Sequence, residues 1–110
     1  MIRIDAAWLA VEPMDMRAGP DAALARVVAV FGSAQPHHAY VFANARTTRL
    51  KVLVHDGVGL WLAARRLHSG KFNWAAGPHT SVAISTTQLN ALALGLPWQR
   101  VGHTGAITLV

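Results

Sequence analysis

The chain has 110 residues, 53% hydrophobic and 14% charged, which suits one packed core and excludes general disorder. Ten Lys and Arg against five Asp and Glu give a formal charge of +5 and a pI near 11.2, favouring a polyanionic partner, nucleic acid before a membrane surface. The absence of cysteine excludes a disulfide framework and thiolate chemistry, and the apolar run Ala6 to Val11 is too short for a membrane span or secretory leader, so a cytoplasmic location is expected.

Residues 2–11 mix alternation with a short apolar run and predict a first strand, ended by Pro13. A loop through Met14-Asp15-Met16-Arg17-Ala18-Gly19 leads to Pro20, whose missing N–H is harmless at a first helical position. Asp21 suits the positive end of a helix dipole, and Leu24, Val27, Val28 and Phe31 follow helical spacing. Gly32 supplies the stop, giving a helix of about three turns.

After a loop with Pro36, Tyr40 to Phe42 reads as a strand and Asn44 to Thr47 as a turn. Thr48 to His55 and Val58 to Leu67 predict a hairpin about Asp56-Gly57. A two-residue loop pairs His55 with Val58; a four-residue loop shifts the pairing and keeps the same faces. Leu50, Val52, Val54, Trp61, Ala63 and Arg65 then share one face, and Arg49, Lys51, Leu53, Leu60, Leu62 and Arg66 the other.

Ser69-Gly70 begins a turn into a further predicted strand, Lys71 to Trp74, and Ser81 to Ile84 is a short last one. Ser85-Thr86-Thr87-Gln88 fits a capping box, with Leu89, Leu92 and Ala93 as the buried stripe and Gly95 and Pro97 as the stop. Residues 1–101 are expected to form a single domain and 102–110 a flexible tail. The fold class is α+β: one small domain, a twisted antiparallel β-meander of about five strands, with two helices packed on one face.

The positive charge is concentrated. Arg46, Arg49, Lys51, Arg65, Arg66 and Lys71 are opposed between residues 46 and 71 by Asp56 alone, and the rest of the chain is neutral. Charges on hairpin edges guard against edge-to-edge aggregation, an ordinary reason for Lys51 or Arg65. Convergence of Arg46, Arg49, Lys51, Arg66 and Lys71 with Asn44 would instead build a phosphate-contact surface. Arg17 either pairs with Asp15 inside its loop or joins that surface. Trp61 and Trp74 read as core residues before stacking platforms.

Two-metal chemistry needs convergent carboxylates, and Asp5, Glu12, Asp15, Asp21 and Asp56 have no informative spacing. His37, His38, His55, His68, His79 and His103 lack metal-ligand spacing on a predicted helix and read as solvated loop residues. No nucleophile elbow, Walker A loop or G-x-G-x-x-G occurs, and Gly57-Val58-Gly59 leads into a strand rather than a helix. No catalytic residue, metal or cofactor is assigned, and a non-enzymatic protein is expected.

Asp15-Met16-Arg17 with Gly19, Tyr40-Val41-Phe42, Asn44 with Arg46, and Arg49-Leu50-Lys51-Val52-Leu53 occur in that order. Asp56-Gly57 with Gly59, Arg65-Arg66-Leu67, Gly70 with Phe72 and Trp74, Gln88-Leu89, and Gly95 with Trp98 follow. Across residues 7–100 this set resembles TnpB, the small accessory protein from the second open reading frame of bacterial insertion sequences of the sixty-six type. The resemblance implies a bacterial, nucleoid-associated protein acting in transposition beside a larger transposase that holds the catalytic acids. Its partner would be DNA or that transposase, with no membrane involved. The chain departs from the family pattern at Ala18, His55, His68 and Ala75, where a basic residue, an aromatic, an acid and a proline are usual.

The reading is thus a non-catalytic accessory protein that contacts DNA phosphates through Arg46, Arg49, Lys51, Arg66 and Lys71, joined by Arg17 and Asn44. Neutralising four to six phosphates would give log affinity a slope of about −4 to −5 against log salt. The alternative is a protein-interaction module docking on the transposase by the same surface or an exposed strand edge.

Overall fold

Strand β2, His38–Ala43, lies in the middle of the sheet, and its sequence HAYVFA suits that place. Alternation sends Ala39 and Val41 to one face and Tyr40 and Phe42 to the other, and all four are buried. A strand that is apolar on both faces needs a cover on each. The computed structural model describes residues 2–101 and provides two covers.

In chain order the elements are β1 (Ala6–Ala10), α1 (Pro20–Phe31), β2, β3 (Arg49–His55), β4 (Leu60–Arg66), β5 (Ser81–Ile84) and α2 (Thr86–Ala93), then a 3₁₀ turn at Trp98–Arg100. The five strands form one sheet in the order β4-β3-β2-β1-β5. Strands β1 and β2 run parallel, and the other three pairs are antiparallel. The α+β class with five strands and two helices is as expected, but the sheet is mixed and not the antiparallel meander expected, because the β1–β2 pair is parallel.

The helices, however, cover opposite faces rather than one. A parallel pair cannot be joined by a tight turn, so the β1–β2 connection crosses over and carries α1 with it. Ala23 and Val27 of α1 pack in a cluster with Tyr40, Phe42 and Leu53. Helix α2 follows β5 on the other side of β1 and sets Leu89 and Leu92 in a cluster with Leu9, Val41 and Val54. Each large side chain buried this way contributes about 1.5–3 kcal/mol. The buried stripe of α1 is also rotated from the predicted one, leaving Val28 47% exposed.

Residues 71–74, predicted as a strand, form none; the segment is held by single bonds instead. Phe72 is buried, and its N–H donates to the Thr47 carbonyl at 2.8 Å. The Trp74 indole donates to the Ala10 carbonyl at 3.0 Å, and the Trp98 indole to the Asn73 carbonyl at 2.8 Å. With its hydrogen bonds going to scattered carbonyls, the segment has no ladder to join. The first strand is shorter than predicted, at Ala6–Ala10.

The hairpin takes the four-residue loop, pairing His55 with Leu60, and the two faces divide as the alternation requires. The Asp56 carboxylate accepts the Val58 and Gly59 N–H groups at 2.9 and 2.8 Å, and Gly57 at φ +87° supplies the left-handed residue. The capping box of α2 is complete: Ser85 Oγ accepts the Gln88 N–H at 3.0 Å, and Gln88 Oε1 accepts the Ser85 N–H at 2.9 Å. Three histidines are half-buried rather than solvated. His38 Nδ1 accepts the Trp8 indole N–H, His55 Nε2 meets the Ala34 carbonyl, and the His37 N–H donates to the His55 carbonyl. The predicted flexible tail, residues 102–110 with His103, lies outside the described residues.

Candidate nucleic-acid interface

Asn44 follows β2 and shapes the turn into β3. Its Oδ1 accepts the N–H groups of Thr48 and Arg49 at 2.9 and 3.1 Å, and its Nδ2 donates to Thr48 Oγ1 at 2.9 Å. That set uses both acceptor positions and one of the two donors of the amide, so Asn44 holds the turn, with Thr47 at φ +54°. The turn presents Arg46 to solvent and aims the chain so that Arg49 opens β3. Lys71 is exposed on the loop whose next residue, Phe72, is bonded to Thr47, which sets it beside the same turn.

Across the hairpin Arg49 stands directly opposite Arg66, and Lys51 lies two residues further along the same face, opposite Ala64. Directly opposed residues place their Cβ atoms about 4.5–5.5 Å apart, and like charges there destabilise by roughly 0.2–1 kcal/mol. Three of the acids that might offset this are engaged elsewhere. Asp5 pairs with Arg3 at 2.8 Å, Glu12 lies 3.9 Å from Arg26, and Asp56 is taken up by its own turn. Backbone N–H bonds from Gly59 and Val58 hold the Asp56 carboxyl below its ordinary range. Among the described residues Arg46, Arg49, Arg66 and Lys71 have no carboxylate partner.

The Met14 to Gly19 loop lies against this face and is tied at two points. The Met14 N–H donates to the Ala43 carbonyl at 2.9 Å, and the Ala18 carbonyl accepts Lys51 Nζ at 2.7 Å. Between the ties, Arg17 pairs with Asp15 through Nε at 3.1 Å and Nη2 at 2.8 Å, while its backbone N–H donates to Asp15 Oδ1 at 2.9 Å. These bonds to Arg17 hold the Asp15 carboxyl at about 2 and push the Arg17 guanidinium up. Of the two roles open to Arg17, the structure places it in the ion pair.

Two adjoining grooves result. One of about 570 Å³ is lined by Pro13 to Met16 and by Asn44, Arg46, Thr48 and Arg49. The other, about 280 Å³, is lined by Met16, Lys51, Ala64 and Arg66 among others, and Met16 and Arg49 line both. Met16 and Thr48 carried no charge signal in the sequence. Arg65 points to the opposite face, where its Nε donates to the Ala93 carbonyl at the negative end of α2. Trp74 packs against the core, but Trp61 is 47% exposed and is no core residue. Among the described residues no three His, Asp or Glu side chains gather as a metal site needs, and no helix is long and apolar enough to cross a membrane.

Fold and surface together define a small α+β protein with one basic, grooved face. The comparisons make the class specific. The family described as "IS66 Orf2 like protein" matches residues 5–103, and the chain belongs to it, as the ordered motifs from Asp15-Met16-Arg17 onward led one to expect. That membership points to an accessory role in transposition, and the family is not a known catalytic one. Two proteins of Sinorhizobium fredii are similar. "Uncharacterized protein y4hO" is 33% identical over 104 residues, covering 94% of this chain and 90% of its own length. "Uncharacterized protein y4jC" is 33% identical over 98 residues, covering 84% and 80%. No solved structure matches.

Proposed function

We propose that this protein is a non-catalytic, nucleoid-associated accessory factor of insertion-sequence transposition that binds the DNA backbone through the Arg46, Arg49, Lys51, Arg66 and Lys71 face. One observation carries the reading: Arg49 and Arg66 sit opposite each other on one sheet face, and among the described residues neither forms an ion pair with a carboxylate. Such an arrangement costs stability in the free protein and is relieved when an anion settles between the two guanidinium groups. Phosphate contacts of this kind position a protein on a duplex without reading sequence, so weak discrimination among DNA sequences follows.

A second reading is favoured by a different place on the molecule. Val58 and Leu60, at 96% and 37% exposure, stand together at the closed end of the hairpin, with Trp61, 47% exposed, on its other face. Six residue steps take the strand from Leu60 to Arg66, about 20 Å, so a docking contact for the transposase at the tip is separable from the basic face. Replacing Arg46, Arg49 and Lys51 together by alanine should abolish retention of duplex DNA and leave capture by purified transposase intact. Loss of transposase capture with DNA retention unchanged would reverse the two roles and overturn the proposal.

A further inference from the structure

The basic face contains one carboxylate that its neighbours do not need for folding. Asp15 lines the larger groove beside Arg46 and Arg49, and its carboxylate is shared with Arg17 in a fork-to-fork pair. Both side chains are out in solvent, Arg17 at 91% and Asp15 at 59% exposure. An ion pair so exposed contributes little to stability. Its loop is already fixed at each end by the Met14–Ala43 and Ala18–Lys51 bonds, independently of the pair.

We infer that Asp15 sets the affinity and the ligand class of this face, by occupying Arg17 and lending the groove a negative charge that an incoming anion must displace. The inference rests on the basic face being an anion-binding surface. Displacement follows from the chemistry of the pair. Arg17 offers a planar fork that fits a phosphate as well as a carboxylate. A lone carboxylate arriving from solvent exchanges one for one with Asp15 and gains nothing. A run of phosphates engages Arg46, Arg49 and Arg66 first, and then presents Arg17 with a second anion at high local concentration. The arrangement therefore selects a polyphosphate backbone over an acidic side chain of a protein. Asp15 is a positioning residue, acting through Arg17.

The test uses the full chain and two substitutions whose effects should have opposite sign. Asp15→Asn keeps an oxygen that accepts the Arg17 N–H, so the turn survives, but it removes the charge and frees the guanidinium. It should bind a random 20-base-pair duplex about two- to fivefold more tightly, the scale of one exposed ion pair. Arg17→Ala leaves the Asp15 charge uncompensated and should bind more weakly than the parent, while Asp15→Asn with Arg17→Ala should cancel the gain. Elution from heparin–agarose gives the same comparison without DNA: Asp15→Asn later, Arg17→Ala earlier. Shifts of the same sign for both single variants, or none, would overturn the inference and leave the loop as scaffold. A parent that retains heparin but no duplex would refute the DNA reading while these signs still decide the role of Asp15. A parent that binds neither would sink both.

Discussion

Replacing Arg49 by threonine should make the protein more stable and bind DNA less well, a pairing of signs that few surface substitutions give. Arg49 faces Arg66 across the hairpin, and among the described residues neither is ion-paired to a carboxylate. Removing one member of a directly opposed like-charge pair returns roughly 0.2–1 kcal/mol, and threonine suits a strand as well as arginine does. For a domain of this size that corresponds to a rise in melting temperature of roughly 1–6 °C. The same change removes one phosphate contact and should make the slope of log affinity against log salt shallower by about 0.9. Arg49→Lys keeps the charge and should move neither quantity in that direction. Added salt screens the repulsion, so the stability gap between parent and Arg49→Thr should narrow as ionic strength rises. Thermal melts at low and high salt, with fluorescence anisotropy on a labelled duplex, measure all of this. An Arg49→Thr protein that melts lower than the parent, with Arg49→Lys unchanged, would show that the arginine is held by favourable contacts and that the face is not poised for an anion.

Asn44→Ala strips acceptors from the Thr48 and Arg49 N–H groups and should destabilise by about 1–3 kcal/mol in denaturant melts, while Asn44→Asp, which keeps both acceptor bonds, should lose far less. Gly95 has φ +76°, and a Cβ there would stand 2.8 Å from Leu67 Cδ1, so Gly95→Ala should cost about 1–2 kcal/mol or more by the same assay. Asp15 has a folded pKa of about 2 against an ordinary 3.8. Its contribution to stability is therefore complete above pH 4 and lost as pH falls through about 2, and an acid titration of Asp15→Asn should be flatter than the parent across that window.

Much of the architecture was legible because local chemistry and the final environment agree. Pro20 and Gly32 bound α1, the Ser85 and Gln88 box opens α2, and alternation across residues 49–66 divides the hairpin faces correctly under either loop length. The misreadings share a cause. Placing both helices on one face assumed that sequential strands pair antiparallel, yet β1 and β2 are parallel, and their crossover puts Ala23 and Val27 in one cluster with Tyr40 and Phe42. Lys71 to Trp74 alternates like a strand, but Phe72 is buried and Trp74 half-buried, with the Phe72 N–H bonded to Thr47 and the Trp74 indole to Ala10. The candidate surface was legible as charge, since Arg49, Lys51 and Arg66 share a parity that any hairpin preserves. The Asp15–Arg17 pair was one of two alternatives the sequence left open. The constraints on Asn44 and Lys51 were not legible, because the amide geometry and the Ala18 carbonyl depend on loops that periodicity does not describe.

The central claim is that the 44–71 face meets a phosphate backbone through several unpaired cations at once. Binding of a random duplex, measured from 50 to 300 mM salt, tests this directly. Five contacts from Arg46, Arg49, Lys51, Arg66 and Lys71 predict a slope of about −4.5 in log affinity against log salt. A slope near zero, or no binding at the lowest salt, would contradict it.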